Sequence, residues 1–295
     1  MPFLQVTLEI GNADPVAAEE ACFAAGALSV TLADAADEPV LEPAPGTTPL
    51  WRQVRISALF PAAADGTVLT AVLASALGLP AGRITHEVLA DRAWEREWMK
   101  DFRPMRFGRR LWICPGGQRA PDPEAAVLEL DPGLAFGTGT HPTTALCLEW
   151  LDAADLAGET VLDYGCGSGV LALAALRLGA VTACAVDIDP QALLATRENA
   201  ARNGLQSRLQ VMPAGVLATG EWDVVLANIL AGPLVDLAPA LAHRVRADGA
   251  VVLAGMLEEQ AEGVAQAYRP WFHMRMFAKR DGWAVLEGRR TTSPG

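Results

Sequence analysis

The sequence has few cysteines and no long hydrophobic run. Its five cysteines are an odd number, lie far apart and form no CxxC or Cys/His pattern, so we expect neither a disulfide framework nor a metal site. No apolar run approaches the roughly 18 residues of a membrane span, and the opening MPFLQVTLEI lacks the basic segment of a signal peptide. We therefore expect a cytoplasmic protein that does not associate with membranes.

Length and composition are those of ordinary globular domains. The chain has 295 residues, of which 51% are apolar and 20% are charged. At about 100 to 200 residues per domain, this length predicts two domains that bury their cores without cross-links. We expect the protein to be a monomer.

Charge is unevenly distributed along the chain. The formal net charge is −12, to which residues 1–90 contribute −7, residues 91–120 contribute +4 and the remainder contributes −9. A negative net charge disfavours binding to a bare phosphate backbone, and no direct contact with nucleic acid is expected unless the basic segment makes it. The acidic N-terminal third suits a basic protein partner, but a solvated acidic surface explains it equally well.

The first 90 residues alternate between strand and helix periodicity. The pattern predicts strands over 3–10, 27–32, 51–60 and 83–89 and helices over 14–25 and 66–77. The order βαββαβ is that of a ferredoxin-like α+β domain, a sheet with helices on one face. The region carries no catalytic constellation of histidine, cysteine or paired acids, so we expect it to bind a partner.

A connecting segment follows, and we predict a domain division of 1–90, 91–120 and 121–295. In residues 91–102, Trp94, Trp98 and Phe102 recur every four residues, which predicts a helix whose aromatic stripe packs against a neighbouring domain. Residues 105–117 are predicted to form a loop and a short strand before a Pro/Gly-rich stretch.

The remainder predicts a doubly wound, mostly parallel seven-stranded α/β sheet. Strands at 161–164, 182–188, 209–212, 223–228 and 250–254 alternate with helices at 170–178, 190–203 and 233–245. Residues 271–279 and 283–289 flank Arg280-Asp281-Gly282 and predict a terminal β-hairpin. The sheet should therefore end in antiparallel strands.

The first motif is DYGCGSG at residues 163–169, placed between a predicted strand and helix. Its candidate cofactor contacts are Asp163, Gly165, Gly167 and Gly169, and Asp187 at the end of the next strand can accept the hydroxyls of a ribose. A dinucleotide site is the weaker alternative, since residues 167–172 fit a loosened GxGxxG/A pattern. A carboxylate just before the glycines repels a pyrophosphate and attracts a sulfonium or ammonium group. This pattern resembles the class I S-adenosylmethionine-dependent methyltransferases.

The second motif is FGTGTHPTT at residues 136–144. It supplies Phe136, Thr143 and Thr144 as further candidate cofactor contacts. We expect Thr140 to cap a helix that begins near Pro142 and runs to about residue 150, with N–H groups able to receive a carboxylate. Capping alone does not explain the density of glycine, threonine and histidine here, so we favour a functional role.

The third motif is Asn228-Ile229-Leu230-Ala231, at the end of a predicted strand. In doubly wound sheets ligands bind at the carboxyl ends of strands, so the Asn228 amide can face the reaction centre and orient a substrate amine. Asparagine is also common at strand ends as a turn former. Taken alone, the two interpretations are about even.

Together with DFRPMRFGRRLWICP in the connecting segment, NILAGPL at residues 228–234 and GALSVTLADAADEPVLEP near the N-terminus, these motifs resemble one family: the bacterial methyltransferases of large-subunit ribosomal protein eleven. The resemblance covers nearly the whole chain. It implies that S-adenosylmethionine is the cofactor and that the N-terminal domain recognises the ribosomal protein. It further implies that a flexible linker moves the catalytic domain over lysine side chains and the N-terminal α-amino group.

The resemblance also assigns site residues. The family's cofactor contacts fall by motif on Thr144, Gly165, Asp187 and Asn228. Relatives that methylate amines often have Asn/Asp-Pro-Pro-aromatic where this chain has Asn-Ile-Leu-Ala. This motif therefore lacks an aromatic ring to clasp the amine, and a roomier pocket there would suit repeated methylation.

Two candidate catalytic residues follow, Asn228 and His141. Forming a neutral lysine amine at pH 7 costs roughly 4 to 5 kcal/mol, so the site must disfavour the ammonium by desolvation or pass its proton to a base, for which His141 and water are the alternatives. Two other functions stay open: an amino-methyltransferase that reaches RNA through its basic segment, and a binding module that keeps the nucleoside fold without catalysis.

Overall fold

The computed structural model describes residues 2–11, 13–36, 51–89, 103–130, 139–216 and 220–291. The chain divides into two compact units, Met1–Trp94 and Glu95–Gly295. The predicted aromatic helix over 91–102 and the candidate contact Phe136 lie outside the described residues. The division into 1–90, 91–120 and 121–295 stays a prediction.

The first unit is the expected ferredoxin-like domain. Its antiparallel sheet has the order β2-β3-β1-β4. Its elements are β1 (Phe3–Gly11), α1 (Pro15–Ala24), β2 (Ser29–Asp34), β3 (Val54–Pro61), α2 (Gly66–Leu77), a 3₁₀ turn (Ala81–Arg83) and β4 (Ile84–Leu89).

Local chemistry explains these elements. The Asp14 and Asp65 carboxylates cap α1 and α2 by accepting the first free backbone N–H groups, and Gly78 ends α2 in the left-handed conformation. Alternate β1 residues are buried and face the helices, so one face of the sheet forms the core of this unit.

The second unit contains the expected α/β sheet and a smaller one. A three-stranded sheet has the order β5-β6-β7, and a seven-stranded sheet has the order β10-β9-β8-β11-β12-β14-β13. The elements are β5 (Met105–Phe107), β6 (Leu111–Cys114), β7 (Ala126–Glu129), α3 (Pro142–Ala153), β8 (Thr160–Tyr164), α4 (Val170–Arg177), β9 (Thr182–Asp187), α5 (Pro190–Arg202), a 3₁₀ turn (Gln206–Arg208), β10 (Leu209–Pro213), a 3₁₀ turn (Ala214–Val216), β11 (Trp222–Asn228), α6 (Ala231–Asp236), α7 (Ala238–Ala242), β12 (Val245–Leu257), a 3₁₀ turn (Glu258–Gln260), α8 (Ala261–Tyr268), β13 (Phe272–Arg280) and β14 (Trp283–Arg290).

The large sheet is doubly wound, as predicted. Strands β10, β9, β8, β11 and β12 pair in parallel, whereas β14 is antiparallel to both of its neighbours. Strand order runs outward in opposite directions from the adjacent strands β8 and β11, which creates the crevice where such sheets bind ligands. Two apolar clusters cover the two faces of the sheet.

Two predicted elements of the large sheet and its helices differ from the structure, and one helix was not predicted. The helix predicted over 233–245 is two short helices, α6 and α7, because Pro239 in the first turn of α7 has no N–H to continue the ladder. The strand predicted at 250–254 extends over Val245–Leu257, and α8 was not predicted at all. None of the helices that the structure describes is long and apolar enough to cross a bilayer.

The small sheet is fastened to α3 by one carboxylate. Residues 105–107, predicted as a loop, pair with β6. The turn that follows donates the backbone N–H groups of Arg109, Arg110 and Leu111 to the Asp152 carboxylate, at 2.6, 3.0 and 3.1 Å. Gly108 has a φ of 65°, and a Cβ there would lie 2.3 Å from Asp152 Oδ2. A glycine therefore lets this turn close onto a carboxylate that is only 5% exposed.

Candidate active site

The glycine motif forms a tight loop between β8 and α4. Gly165, Gly167 and Gly169 have φ values of 79°, 53° and 78°, a region that side chains rarely adopt. A Cβ on Gly165 would lie 2.4 Å from Ile229 Cγ2. The loop thus lies directly against the residue that follows β11, at the crevice between β8 and β11.

Helix α5 braces this loop through two buried side chains that the sequence reasoning missed. Thr196 Oγ1 donates to the Gly167 carbonyl and Asn199 Nδ2 donates to the Ser168 carbonyl, both at 3.0 Å. Thr196 also occupies the space beside Gly169, where a Cβ would lie 2.7 Å from Thr196 Cγ2. The available signal was a pair of polar residues three apart on the apolar face of an amphipathic helix.

Asp187 lies at the carboxyl end of β9, as predicted. Its Oδ2 accepts the Gly167 N–H at 2.9 Å and its Oδ1 accepts the Asp189 N–H at 3.0 Å. Each carboxylate oxygen retains a further lone pair for a ligand hydroxyl. The next residue, Ile188, is an apolar side chain that is 89% exposed, and the sequence reasoning did not single it out.

Asp163 is fully buried near the end of β8. Its Oδ2 accepts the Ala172 N–H in the first turn of α4 at 3.1 Å. Its Oδ1 has no hydrogen-bond partner among the described residues. Burial raises the pKa of this carboxyl to about 7, opposed by the Ala172 hydrogen bond and assisted by the Asp187 charge.

His141, and not Thr140, is the N-cap of α3. Its Nδ1 accepts the Thr143 N–H at 3.3 Å and lies 2.7 Å from Thr143 Oγ1, while Pro142 occupies the first helical turn as expected. The prediction of a Thr140 cap was wrong. Pro142 has no N–H, so the first backbone donor of the helix is the Thr143 N–H, and His141 accepts it. Burial lowers the pKa of the His141 imidazole.

Helix α3 also brings the second and third motifs together. Asn228 Nδ2 donates to Thr144 Oγ1 at 3.2 Å. Thr143 and Thr144 are each 1% exposed, so this end of the helix is packed and not a loose cap. Within the described residues the Asn228 amide oxygen makes no hydrogen bond, which leaves it as the acceptor for a ligand N–H.

The terminal hairpin packs against the same helix. The rings of Trp283 and His141 make a T-shaped contact, with centroids 4.7 Å apart and planes at 71°. Two polar contacts secure the hairpin: Arg280 reaches both Glu149 carboxylate oxygens at 3.0 Å, and Trp150 Nε1 donates to Glu287 at 2.5 Å. From the sequence, Trp283 was predicted only to be the first residue of a strand.

The predicted residues that the structure describes therefore gather at one edge of the sheet. The glycine loop and Asp187 form one side, and the Thr144–Asn228 pair forms the other. The arrangement provides backbone groups and carboxylates for a polar nucleoside ligand, together with a free amide oxygen. Such a site can hold a nucleoside-derived donor and orient a second reactant beside it.

Comparison with known proteins points to one family. The chain matches the family model described as ribosomal protein L11 methyltransferase over residues 2–291. It is 55% identical over 293 residues to the ribosomal protein L11 methyltransferase of Pseudomonas paraeruginosa, covering 98% of this chain and 99% of that protein. The enzyme of the same name from Methylococcus capsulatus is 54% identical over 291 residues, with coverage of 98% and 99%.

A solved structure gives the same result. The crystal structure of a ribosomal protein L11 methylase from Lactobacillus delbrueckii subsp. bulgaricus is 33% identical, with a TM-score of 0.60. The match covers 64% of this chain and 100% of that one.

Proposed function

The chain belongs to the ribosomal protein L11 methyltransferase family, and we propose that it transfers methyl groups from S-adenosylmethionine to lysine side-chain and N-terminal amines of ribosomal protein L11. The observation that carries the proposal is the Asn228–Thr144 contact at the same crevice as the glycine loop. It puts an amide oxygen beside a nucleoside-type site.

The residues of the crevice fit S-adenosylmethionine. The glycine loop packs so closely against Ile229 that Gly165 has no room for a Cβ, the buried Asp163 Oδ1 has no hydrogen-bond partner among the described residues, and the Asp187 carboxylate lies at the end of β9. We assign the methionine portion to the glycine loop and to the N-terminus of α3 at Thr143 and Thr144. We assign the ribose to Asp187, with the exposed Ile188 supplying an apolar surface for the base.

The chain's own groups position the acceptor. When bound, the cofactor would supply a sulfonium methyl group whose carbon is open to attack by an amine nitrogen, with the carbon–sulfur bonding pair staying on the departing sulfur. Asn228 Oδ1 accepts an N–H of the amine and thereby directs the nitrogen lone pair, and Thr144 fixes the amide that does so. Holding two reactants at attack geometry is the main contribution that this chemistry needs from a protein.

The amine must also be neutral before it reacts. His141 is the proposed proton acceptor, because its lowered pKa keeps the imidazole neutral near pH 7. Because Nδ1 accepts the Thr143 N–H, the neutral ring carries its hydrogen on Nε2, and Nδ1 is the nitrogen whose lone pair would take the proton. Desolvation of the ammonium within the crevice would contribute in the same direction.

Substrate recognition is assigned to the ferredoxin-like unit. This unit has its own apolar core, and residues 1–90 carry a charge of −7. An acidic surface complements a basic ribosomal protein. We place this activity in the cytoplasm, where ribosomal proteins are available and where five buried free cysteines stay reduced.

Isotope transfer tests the proposal. Purified full-length chain is incubated with purified L11 and methyl-labelled S-adenosylmethionine, and the label is located by tandem mass spectrometry, with Asn228→Ala as the matched control. We expect label on amines of L11 with the wild type and little with the control. Label found only on RNA in a parallel incubation would favour the RNA alternative, and no calorimetric binding of the cofactor would favour a non-catalytic module.

A further inference from the structure

Trp283 lies at the same edge of the sheet as Asn228. Asn228 pairs with Ala254 of β12, and Trp283 pairs with Leu257, three residues farther along that strand. Strand β14 is the second neighbour of β11, with only β12 between them. The hairpin thus delivers an indole to the carboxyl edge, on the side of the crevice away from Asp187.

The indole is held in a defined position. The turn before it contains Asp281 and Gly282, both with positive φ, and the Gly282 carbonyl accepts the Glu258 N–H at 2.8 Å. On its other side the indole contacts the His141 ring. His141 lies three residues before Thr144, whose hydroxyl accepts from Asn228 Nδ2. The start of α3 therefore links the indole to the amide. Trp283 itself is only partly buried, which leaves aromatic surface available.

We propose that Trp283 forms the aromatic wall of the acceptor-amine pocket and takes over the positioning of the nitrogen from Asn228 as methyl groups accumulate on it. This inference rests on the proposed function. It supplies the aromatic contact that Asn-Ile-Leu-Ala, without a ring of its own, does not provide.

The number of N–H groups on the acceptor explains the change of partner. A neutral primary amine has two N–H groups, a monomethylamine has one and a dimethylamine has none. Asn228 Oδ1 can therefore orient the first two acceptors and not the third. Each transfer forms one N–C bond and breaks the donor's C–S bond, whose electron pair stays on sulfur. The first two transfers release a proton from nitrogen, and the third leaves a fixed positive charge.

An aromatic face suits the later steps. Positive charge develops on the nitrogen during each transfer, and an indole face attracts a nitrogen cation through its ring quadrupole. Added methyl groups also increase the apolar surface that the ring can cover. Trp283→Leu would keep the apolar contact but lose the electrostatic one.

Site-resolved mass spectrometry tests this inference. The un-, mono-, di- and trimethylated forms of each L11 amine are followed over time with the wild type, Trp283→Leu, Trp283→Phe and Asn228→Ala. In Trp283→Leu we expect the last transfer to slow about tenfold more than the first, so that dimethylated amine accumulates. In Trp283→Phe we expect the last transfer to slow about threefold more than the first. Asn228→Ala should show the reverse order, with the first transfer affected more than the last.

Cofactor affinity provides the second readout. Calorimetry should give a dissociation constant for S-adenosylmethionine within about twofold of wild type in both Trp283 variants, since a cation–π contact to the acceptor leaves the donor site unchanged. Equal slowing of every transfer, or a parallel loss of cofactor affinity, would overturn the assignment of Trp283. A wild type that stops at one methyl group would overturn it as well.

Two further outcomes keep the tests separate. If Trp283→Leu does not fold, Trp283→Met takes its place, because methionine also lacks a ring, and an unchanged ratio of last to first transfer in that variant removes the aromatic wall. If the wild type modifies no L11 amine, the proposed function itself fails.

Discussion

Asn228 Nδ2 donates to Thr144 Oγ1 at 3.2 Å and so joins the end of β11 to the first turn of α3. Because Thr144 is 1% exposed, the contact is shielded from water and orients the amide before any substrate arrives. Two motifs that are 84 residues apart in the sequence thus act on one side chain.

Removing this contact should slow turnover without emptying the cofactor site. In Thr144→Val the side chain keeps its shape and loses the hydroxyl, so we expect turnover to fall about five- to tenfold, the equivalent of one hydrogen bond. Asn228→Ala should lose most turnover while cofactor affinity falls less. Adding Thr144→Val to Asn228→Ala should cost little more, as steady-state kinetics of the double-mutant cycle would show. Fully additive losses would mean that the two residues act separately.

The glycine loop should be intolerant of a single methyl group. Gly165→Ala places a Cβ 2.4 Å from Ile229 Cγ2, and we expect calorimetry to show cofactor affinity reduced beyond measurement. Gly158→Ala is the matched control, since φ there is also left-handed at 84° but no atom lies within 4 Å. Both variants should lose about 1 kcal/mol of unfolding free energy from the strained φ. Equal cofactor affinity in the two variants would show that the space at Gly165 is unimportant.

Asp163 should make cofactor binding depend on pH. Its folded-state pKa of about 7 is above the ordinary value, so the proton stabilises the folded apoprotein and this stability is lost as pH rises through about 7. A sulfonium cation favours the ionised carboxyl. We therefore expect affinity for S-adenosylmethionine to weaken about tenfold from pH 8 to pH 6.

The reaction product is the control for this effect. S-adenosylhomocysteine lacks the sulfonium charge, so its calorimetric affinity should change much less over the same range. Asp163→Asn should flatten the pH dependence for S-adenosylmethionine. Parallel pH curves for the two ligands would rule out Asp163 as the titrating group.

Two variants separate the capping role of His141 from its proposed role as proton acceptor. Asparagine caps helices well and alanine does not, so His141→Ala should lose about 1 kcal/mol of unfolding free energy while His141→Asn loses little. If the imidazole accepts the proton, both variants should lose activity chiefly at neutral pH and recover it at higher pH, where more of the amine is already neutral. A pH–rate profile unchanged in His141→Asn would remove His141 as the base.

Deleting residues 1–90 should separate binding from modification. The second unit has its own apolar clusters, so the shortened chain should still bind S-adenosylmethionine in calorimetry. It should no longer methylate L11, because the proposed recognition unit is gone. Methylation of L11 at an undiminished rate would argue that recognition resides in the second unit.

Much of the fold follows from periodicity and punctuation. Helix α2 begins and ends at the predicted residues because Asp65 and Gly78 mark its two ends chemically. The central strands are short β-rich runs between helices, which fixes the parallel topology. The prediction of one helix over 233–245 was wrong because the apolar spacing continues through Pro239. The spacing of apolar residues carries no information about a missing backbone N–H.

The sequence predicted where the site residues lie on the sheet better than it predicted which side chains they contact. Strand ends placed Asp187 and Asn228 at one edge, but the partner of Asn228 depends on how α3 packs across the sheet. Thr196 and Asn199 are visible in the sequence as polar residues on the apolar face of α5, but their partners are main-chain carbonyls, which carry no sequence signature. The Trp283–His141 contact joins residues 142 positions apart through the docking of a hairpin.

Asp152 has a mechanical consequence for the site. It clamps the turn at Arg109–Leu111 to the last turns of α3, and the opposite end of that helix carries His141 and Thr144. A displacement of this turn would therefore be transmitted to α3, the helix whose Thr144 holds the Asn228 amide.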